Sequence, residues 1–224
     1  MNKSIQIIKT EAKILQANEF YAEKVRDMLS KSNTYCVNLI SSPGSGKTTL
    51  LVNTLHQISD AIACAVIEGD QQTSNDARRI SKTGVPVIQV NTLQSCHLNA
   101  DQILTCLNEL PLHDIDLLII ENVGNLVCPA NVDLGENEKI VLLSITEGED
   151  KPEKYPLAFS EANAMLLTKI DLLPHLKFDI AQCEKSARSV NGNIQIIQTS
   201  SFEANGLDEW IQWLKNRIRA KKIL

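Results

Sequence analysis

Short, near-continuous apolar runs alternate along this chain with longer stretches whose apolar residues recur at helical spacing. Tyr35–Ile40 reads as a strand, and so do Ile62–Ile67, Pro86–Val90, Ile115–Ile120, Ile140–Ile145, Ala164–Thr168 and Ile194–Thr199. Helical spacing predicts a helix over Glu11–Ser30, through Ile14, Leu15, Tyr21, Val25, Met28 and Leu29. It predicts others over Thr49–His56, Ser74–Lys82, Ala100–Leu110, Asp179–Val190 and Leu207–Arg219. Strands apolar on both faces and separated by helices imply an α/β fold: a mostly parallel sheet of about seven strands, with helices on both faces. Ligands of such sheets bind beyond the carboxyl ends of the strands, and every polar motif in this chain follows a strand.

The first of these motifs is Ser41-Ser-Pro-Gly-Ser-Gly-Lys-Thr-Thr49, between the first strand and a helix. A turn this rich in small residues lets backbone N–H groups close around phosphate oxygens, while the helix points its positive end at the anion. Pro43, Gly44, Ser45, Gly46, Lys47, Thr48 and Thr49 would form that cradle. Lys47 would meet the β and γ phosphates and Thr48 would offer its hydroxyl to Mg²⁺. The usual pattern has glycine where this chain has Ser41.

Composition narrows the class. A length of 224 residues suits a single α/β domain, with residues 1–33 as a helical extension packed on it. A net charge of −5 argues against general nucleic-acid binding, which needs a basic face. The cations Lys215, Arg217, Arg219, Lys221 and Lys222 suit the end of a helix instead. No apolar run approaches the roughly 18 residues of a membrane span, and the opening Met1-Asn-Lys-Ser-Ile-Gln6 has no apolar signal core, so a cytoplasmic location is expected. Six irregularly spaced cysteines in a reducing compartment are expected to be free thiols or metal ligands.

Three further strand ends carry polar groups. Glu68-Gly-Asp70 places a carboxylate where it can face Mg²⁺, and Asp76 either shares that role or starts a helix. Glu121-Asn-Val-Gly124 has the form of a Walker B strand followed by a loop whose Gly124 N–H meets a γ-phosphate. Thr168-Lys-Ile-Asp171 approximates the Asn-Lys-x-Asp of GTPases, with threonine in the asparagine place. Asp171 would accept two hydrogen bonds from guanine, a pair adenine cannot supply, and Lys169 would lie along the base. Thr199-Ser200-Ser201 would complete the base loop. The expected Mg²⁺ set is Thr48, Asp70 and Glu121, and the expected catalytic set is Lys47, Asp70 and Glu121.

Cys96-His97 follows the third predicted strand and Cys128 follows Gly124, so both belong near the nucleotide edge of the sheet. None of the three has the paired spacing of a closed zinc finger, and lone cysteines are more often small buried hydrophobes. Three donors under-fill a metal site, but a two-fold dimer would double them. Because Gly124 and Cys128 share a loop, hydrolysis could then move a metal ligand. Cys36, Cys64 and Cys106 fall within strand or helix patterns and read as core. Cys183 has no evident partner.

Taken together, these residues resemble the nickel-incorporation GTPases of hydrogenase maturation, the HypB family, within the dimeric class of P-loop GTPases. The resemblance rests on the P-loop, Glu68-Gly-Asp-Gln71, Asp76-Ala-Arg-Arg-Ile80, Cys96-His-Leu98, Glu121-Asn-Val-Gly-Asn-Leu-Val-Cys-Pro129 and Thr146-Glu-Gly-Glu-Asp-Lys-Pro-Glu-Lys-Tyr-Pro156. It implies a GTP-dependent homodimer that cycles between GTP and GDP with Mg²⁺ and binds Ni²⁺ or Zn²⁺ at the subunit interface through Cys96, His97 and Cys128. With a small HypA-like metallochaperone it would deliver nickel to a hydrogenase large-subunit precursor. Lys151 or Lys154 would reach the nucleotide, in one version across the dimer. Some family members carry Cys-rich or His-rich nickel-storage segments; this chain has four histidines and its first cysteine is Cys36, so storage is not expected. Two other readings use the same residues: a small-molecule kinase, for which Arg78 and Arg79 are the only adjacent arginines, and a regulatory dimer with structural zinc.

Overall fold

The computed structural model describes residues 10–223 apart from 72, 94, 204 and 205, so the first part of the expected 1–33 extension lies outside the described residues. In chain order the elements are α1 (Thr10–Lys31), β1 (Tyr35–Ser41), α2 (Lys47–Ile58), β2 (Cys64–Asp70), α3 (Asn75–Ser81), β3 (Val87–Asn91), α4 (Ala100–Leu107), β4 (Leu117–Glu121), β5 (Glu138–Ser144), α5 (Lys151–Lys154), α6 (Pro156–Ser160), β6 (Ala164–Thr168), α7 (Ile180–Val190), β7 (Gln195–Gln198) and α8 (Asp208–Ile223). The strands form one seven-stranded sheet in the order β3-β2-β4-β1-β5-β6-β7. Every pairing is parallel.

Alternation along the strands divides the core. Val37, Leu39, Leu117, Ile119, Ile140 and Leu142 pack against Leu50, Leu51 and Leu55 of α2 and Trp210 and Leu214 of α8. The intervening residues face the other way. Cys36, Ala65, Ile67, Leu118 and Ile120 meet Val25 and Leu29 of α1 and Ile103 and Leu107 of α4. Val141, Leu143, Met165 and Leu167 meet Phe159 of α6 and Cys183 and Ala187 of α7. Both faces are therefore covered, as all-parallel sheets require. Cys183, which has no evident partner in the sequence, is fully buried core.

Two strand boundaries move for reasons the apolar pattern does not carry. Parallel pairing of β2 with β3 runs through Gly69 and Asp70, so Asp70 ends a strand instead of starting a loop. β5 begins at the charged pair Glu138-Lys139, because Lys139 has buried partners: its Nζ donates to the carbonyls of Ala130 (2.8 Å) and Val132 (3.2 Å). The helices α5 and α6 and a 3₁₀ turn over Ile170–His175 are not legible in the sequence pattern. They are too short to show a period, and a proline starts or interrupts each of them.

β1 is central, with β4 on one side and β5 on the other. The chain leaves β1, β2 and β4 at one edge of the sheet, and this switch in strand order is where an open α/β sheet leaves a crevice.

Candidate nucleotide and metal site

A cavity of about 610 Å³ occupies that crevice. Its walls are the β1–α2 loop from Pro43 to Thr49, together with Glu68, Asp70, Asp76, Arg79, Glu121, Gly124, Lys169 and Phe202. Gly44 (φ 77°) and Gly46 (φ 96°) hold left-handed conformations that open the turn, and Gly46 sits immediately before the first residue of α2. The Lys47 Nζ lies buried and donates to the Ser41 Oγ at 3.2 Å. Ser41, the departure from the usual motif, is thus the resting partner of the P-loop lysine.

The proposed Mg²⁺ ligands converge. The Thr48 hydroxyl donates to Glu121 Oε1 at 2.7 Å, and Asp70, accepting from the Thr73 hydroxyl at 3.0 Å, lines the same cavity. Glu121 Oε2 is buried without a hydrogen-bond partner, and so is Oε2 of Glu68, its register neighbour on β2. Two buried carboxylates with free oxygens, beside a hydroxyl, form a hard oxygen donor set that fits Mg²⁺. Burial raises Glu121 above the ordinary carboxylate range, opposed by the Lys47 charge and the Thr48 hydrogen bond. Glu68 is pushed up to about 8, first by burial and then by the nearby carboxylates of Glu121, Asp70 and Asp76.

On the base side, Thr168, Asp171, Ser200 and Ser201 are not cavity walls. The buried Thr168 hydroxyl donates to the Ser45 carbonyl at 2.7 Å, bracing the P-loop from behind. Lys169 adopts φ 63° and its Nζ donates to the Gly44 carbonyl at 2.6 Å. The Ser200 hydroxyl donates to Asp171 Oδ1 at 2.7 Å. Gly124 lies against the P-loop: a Cβ there would come within 3.2 Å of Pro43 Cα.

The donor atoms of Cys96, His97 and Cys128 lie within 4.8 Å of one another, and all three residues are half-buried. Cys96 and Cys128 are joined in a disulfide, with Cα atoms 6.1 Å apart. This corrects the expectation that all six cysteines are free thiols or ligands; Cys36, Cys64, Cys106 and Cys183 are free and buried. The cause is the convergence of two loops. The Leu98 N–H donates to Asn122 Oδ1 (3.1 Å), and so does the Val123 N–H (3.0 Å), which draws the Cys96-His97 segment onto the end of β4. Thiols brought this close can bridge or share an ion. His97 Nε2 lies 3.1 Å from Asn99 Oδ1, a contact that orients the ring. Lys151 pairs with Glu147 (3.6 Å) and Lys154 with Asp150 (2.6 Å); neither lysine lines the cavity of its own chain.

The geometry agrees with what the chain is similar to. Residues 35–198 match the family described as CobW/HypB/UreG, nucleotide-binding domain. The chain is 52% identical over 212 residues to the hydrogenase maturation factor HypB of Escherichia coli K12, covering 95% of this chain and 73% of that protein. The chain belongs to the HypB family of hydrogenase maturation factors. Among solved structures, HypB from Helicobacter pylori in complex with nickel superposes with a TM-score of 0.87 at 37% identity, covering 91% of this chain and 96% of that one. HypB from Archaeoglobus fulgidus gives a TM-score of 0.85 at 35% identity, covering 91% and 100%. As a HypB with the P-loop GTPase fold, the chain is a GTPase.

Sequence reasoning missed four residues of this HypB site. Asn122 joins the two loops but reads as a filler between Glu121 and Gly124. Arg79 turns into the cavity, its Nη2 donating to the Thr49 hydroxyl at 2.8 Å and its Nη1 to Asp76 at 3.1 Å. Phe202 follows the base loop and carries no motif. Glu68 stands in a motif whose expected Mg²⁺ carboxylate is Asp70.

Glu68 supplies a test in the nucleotide-free protein. A carboxyl raised in the folded state keeps a proton that the unfolded chain releases, so its contribution to stability falls as pH rises from about 4.5 towards 8. Glu68→Gln removes that loss. Thermal unfolding across this window is expected to show wild type losing Tm more steeply than Glu68→Gln, and equal slopes would sink the assignment.

Proposed function

We propose that this chain is a GTP-driven metal switch that helps insert nickel into a hydrogenase large-subunit precursor, in the cytoplasm and with a small HypA-like metallochaperone. One observation carries the reading: the Cys96-His97-Cys128 cluster is hydrogen-bonded through Leu98 and Asn122 to the strand end that bears Glu121 and Gly124. Two thiolates and one imidazole form a soft to borderline donor set suited to Ni²⁺ or Zn²⁺, and it exists only when the disulfide is reduced. The metal is cargo, and the homologue solved in complex with nickel supports that reading.

In hydrolysis, Lys47 leaves Ser41 for the β and γ phosphates, while P-loop N–H groups hold the phosphate oxygens. Thr48, Asp70 and Glu121 would hold Mg²⁺, which would supply charge to offset that developing on the leaving phosphates. Asp70 orients the water, and Gly124 meets the γ-phosphate. Lys169 lies along the base and Asp171, held by Ser200, reads guanine, with Ser201 closing the loop. With little proton transfer assigned to the protein, turnover is expected to be slow, as suits a switch. Loss of the γ-phosphate releases Gly124 from it, and Cys128 on the same loop moves with it.

Near these cysteines in sequence, Leu93 and Val127 are large apolar residues left 71% and 61% exposed. A second copy across a two-fold axis would cover them and double the donors, which supports a GTP-dependent homodimer as the working state. The net charge of −5 fits protein partners better than nucleic acid. No described helix is long and apolar enough to cross a membrane.

The test is Ni²⁺ and Zn²⁺ binding to the reduced protein with GTP and with GDP, on wild type and Cys128→Ala. Removing a neighbour of a metal ligand typically costs about 10–100-fold in affinity, and loss of a ligand thiolate at least as much. Affinity is expected to differ between the two nucleotides and to fall more than about tenfold in Cys128→Ala. Indifference to both nucleotide and Cys128 would overturn the coupled switch.

A further inference from the structure

The loop after β7 carries an aromatic ring that the chain itself leaves uncovered. Phe202 is 82% exposed, yet it forms a wall of the nucleotide cavity beside Lys169 and the P-loop. The backbone around it is held at several points. The Ser200 N–H donates to the Gly206 carbonyl (2.9 Å) and the Gly206 N–H to the Glu203 carbonyl (3.2 Å), which pinches the loop closed. Gly206 is required there, because a Cβ would lie 2.2 Å from the Ser200 carbonyl oxygen. The Ser200 hydroxyl accepts from the Phe202 and Glu203 N–H groups, at 3.2 Å each, while donating to Asp171. Asn53 Nδ2 of α2 donates to the Ser201 carbonyl at 2.6 Å. One hydroxyl thus sets both the base-reading carboxylate and the main chain of Phe202.

Lys169 lines the same cavity. Its Nζ is tied to Gly44, and its Cε lies 3.7 Å from where a Cβ of Gly46 would stand, so its apolar stem runs along the P-loop. We propose that the Phe202 ring stacks on the guanine base, on the face opposite the Lys169 stem. This rests on the reading that Lys169 and Asp171 bound the base site. Stacking takes the ring and the purine face out of water together and tolerates any purine, because every base has a π-face. Phe202 therefore supplies affinity and Asp171 supplies selectivity.

The test is calorimetric binding of GTP, GDP, ITP and ATP to wild type, Phe202→Ala and Phe202→Trp, with steady-state hydrolysis. Phe202→Ala is expected to weaken GTP, GDP and ITP alike by about tenfold. The ratio of GTP to ITP affinity stays fixed, and KM rises with kcat unchanged. Phe202→Trp keeps the affinity and adds a nucleotide-dependent emission change absent from wild type, whose Trp210 and Trp213 are buried. Binding by Phe202→Ala within about twofold of wild type, or emission from Phe202→Trp that is indifferent to nucleotide, overturns the stacking role. Failure of wild type to prefer GTP over ATP would instead overturn the base-site reading, and the Phe202→Ala affinities would still decide the stacking.

Discussion

Lys47→Ala is expected to fold normally and to lose GTP hydrolysis by at least about 10²–10³-fold, the cost of removing one preorganised charge-stabilising donor. The fold should survive because Lys47 makes only a local bond. Its Nζ contacts Ser41, whose own hydroxyl still donates to the Ser42 carbonyl at 2.9 Å. The chemistry should not survive, because this buried ammonium also opposes the rise in pKa of Glu121 and Glu68. Without it, both carboxyls hold their protons more firmly and offer a poorer site to Mg²⁺. Two defects therefore follow from one change: weaker stabilisation of the phosphates and a raised Mg²⁺ requirement. Single-turnover hydrolysis across a Mg²⁺ titration, with circular dichroism as the control for folding, measures both. A Lys47→Ala protein that hydrolyses GTP within about tenfold of wild type would remove Lys47 from the catalytic set.

The same residue shows where the sequence is informative. The five inner strands are buried on both faces and announce themselves as apolar runs; the edge strands β3 and β7 are mostly half-buried or exposed but still read as short apolar runs, so all seven are legible without the sheet. A helix preceded by Gly46 leaves its own glycine signature. What the pattern hides depends on partners distant in the chain. Ser41 looks like a defect until Lys47 is found resting on it. Thr168 looks like a weakened base contact, whereas its hydroxyl braces Ser45, from which it is separated by 123 positions. Lys139 is a buried charge with carbonyl partners on a loop that no periodicity describes. Strand-end logic groups Cys96 with Cys128, but their direct bond depends on Asn122 drawing two loops together. Local pattern determines elements; cross-chain hydrogen bonds decide which strand ends meet, and so make the site.

Asp171→Asn is expected to exchange the base the site accepts, with affinity for GTP falling at least about 10²-fold and XTP becoming the better ligand. The change is conservative for the loop, because an asparagine Oδ1 still accepts the Ser200 hydroxyl that Asp171 accepts at 2.7 Å. The Ser200–Gly206 closure and the Asn53 tie do not involve the carboxylate, so the backbone stays in place. What changes is the donor pattern. A carboxylate offers only acceptors and matches the N1–H and exocyclic amine of guanine. A carboxamide presents one acceptor and one donor, which leaves two donors opposed at the guanine amine and suits the xanthine carbonyl instead. The penalty comes from polar groups left without partners in a shielded site, so it exceeds what loss of apolar contact would cost. Competition binding of GTP, XTP and ATP on wild type and Asp171→Asn measures the exchange. If the substitution weakens GTP and XTP equally, Asp171 shapes the loop without reading the base. If it weakens neither, guanine is recognised elsewhere in the chain, and the Thr168–Asp171 motif has lost the function its spacing suggests.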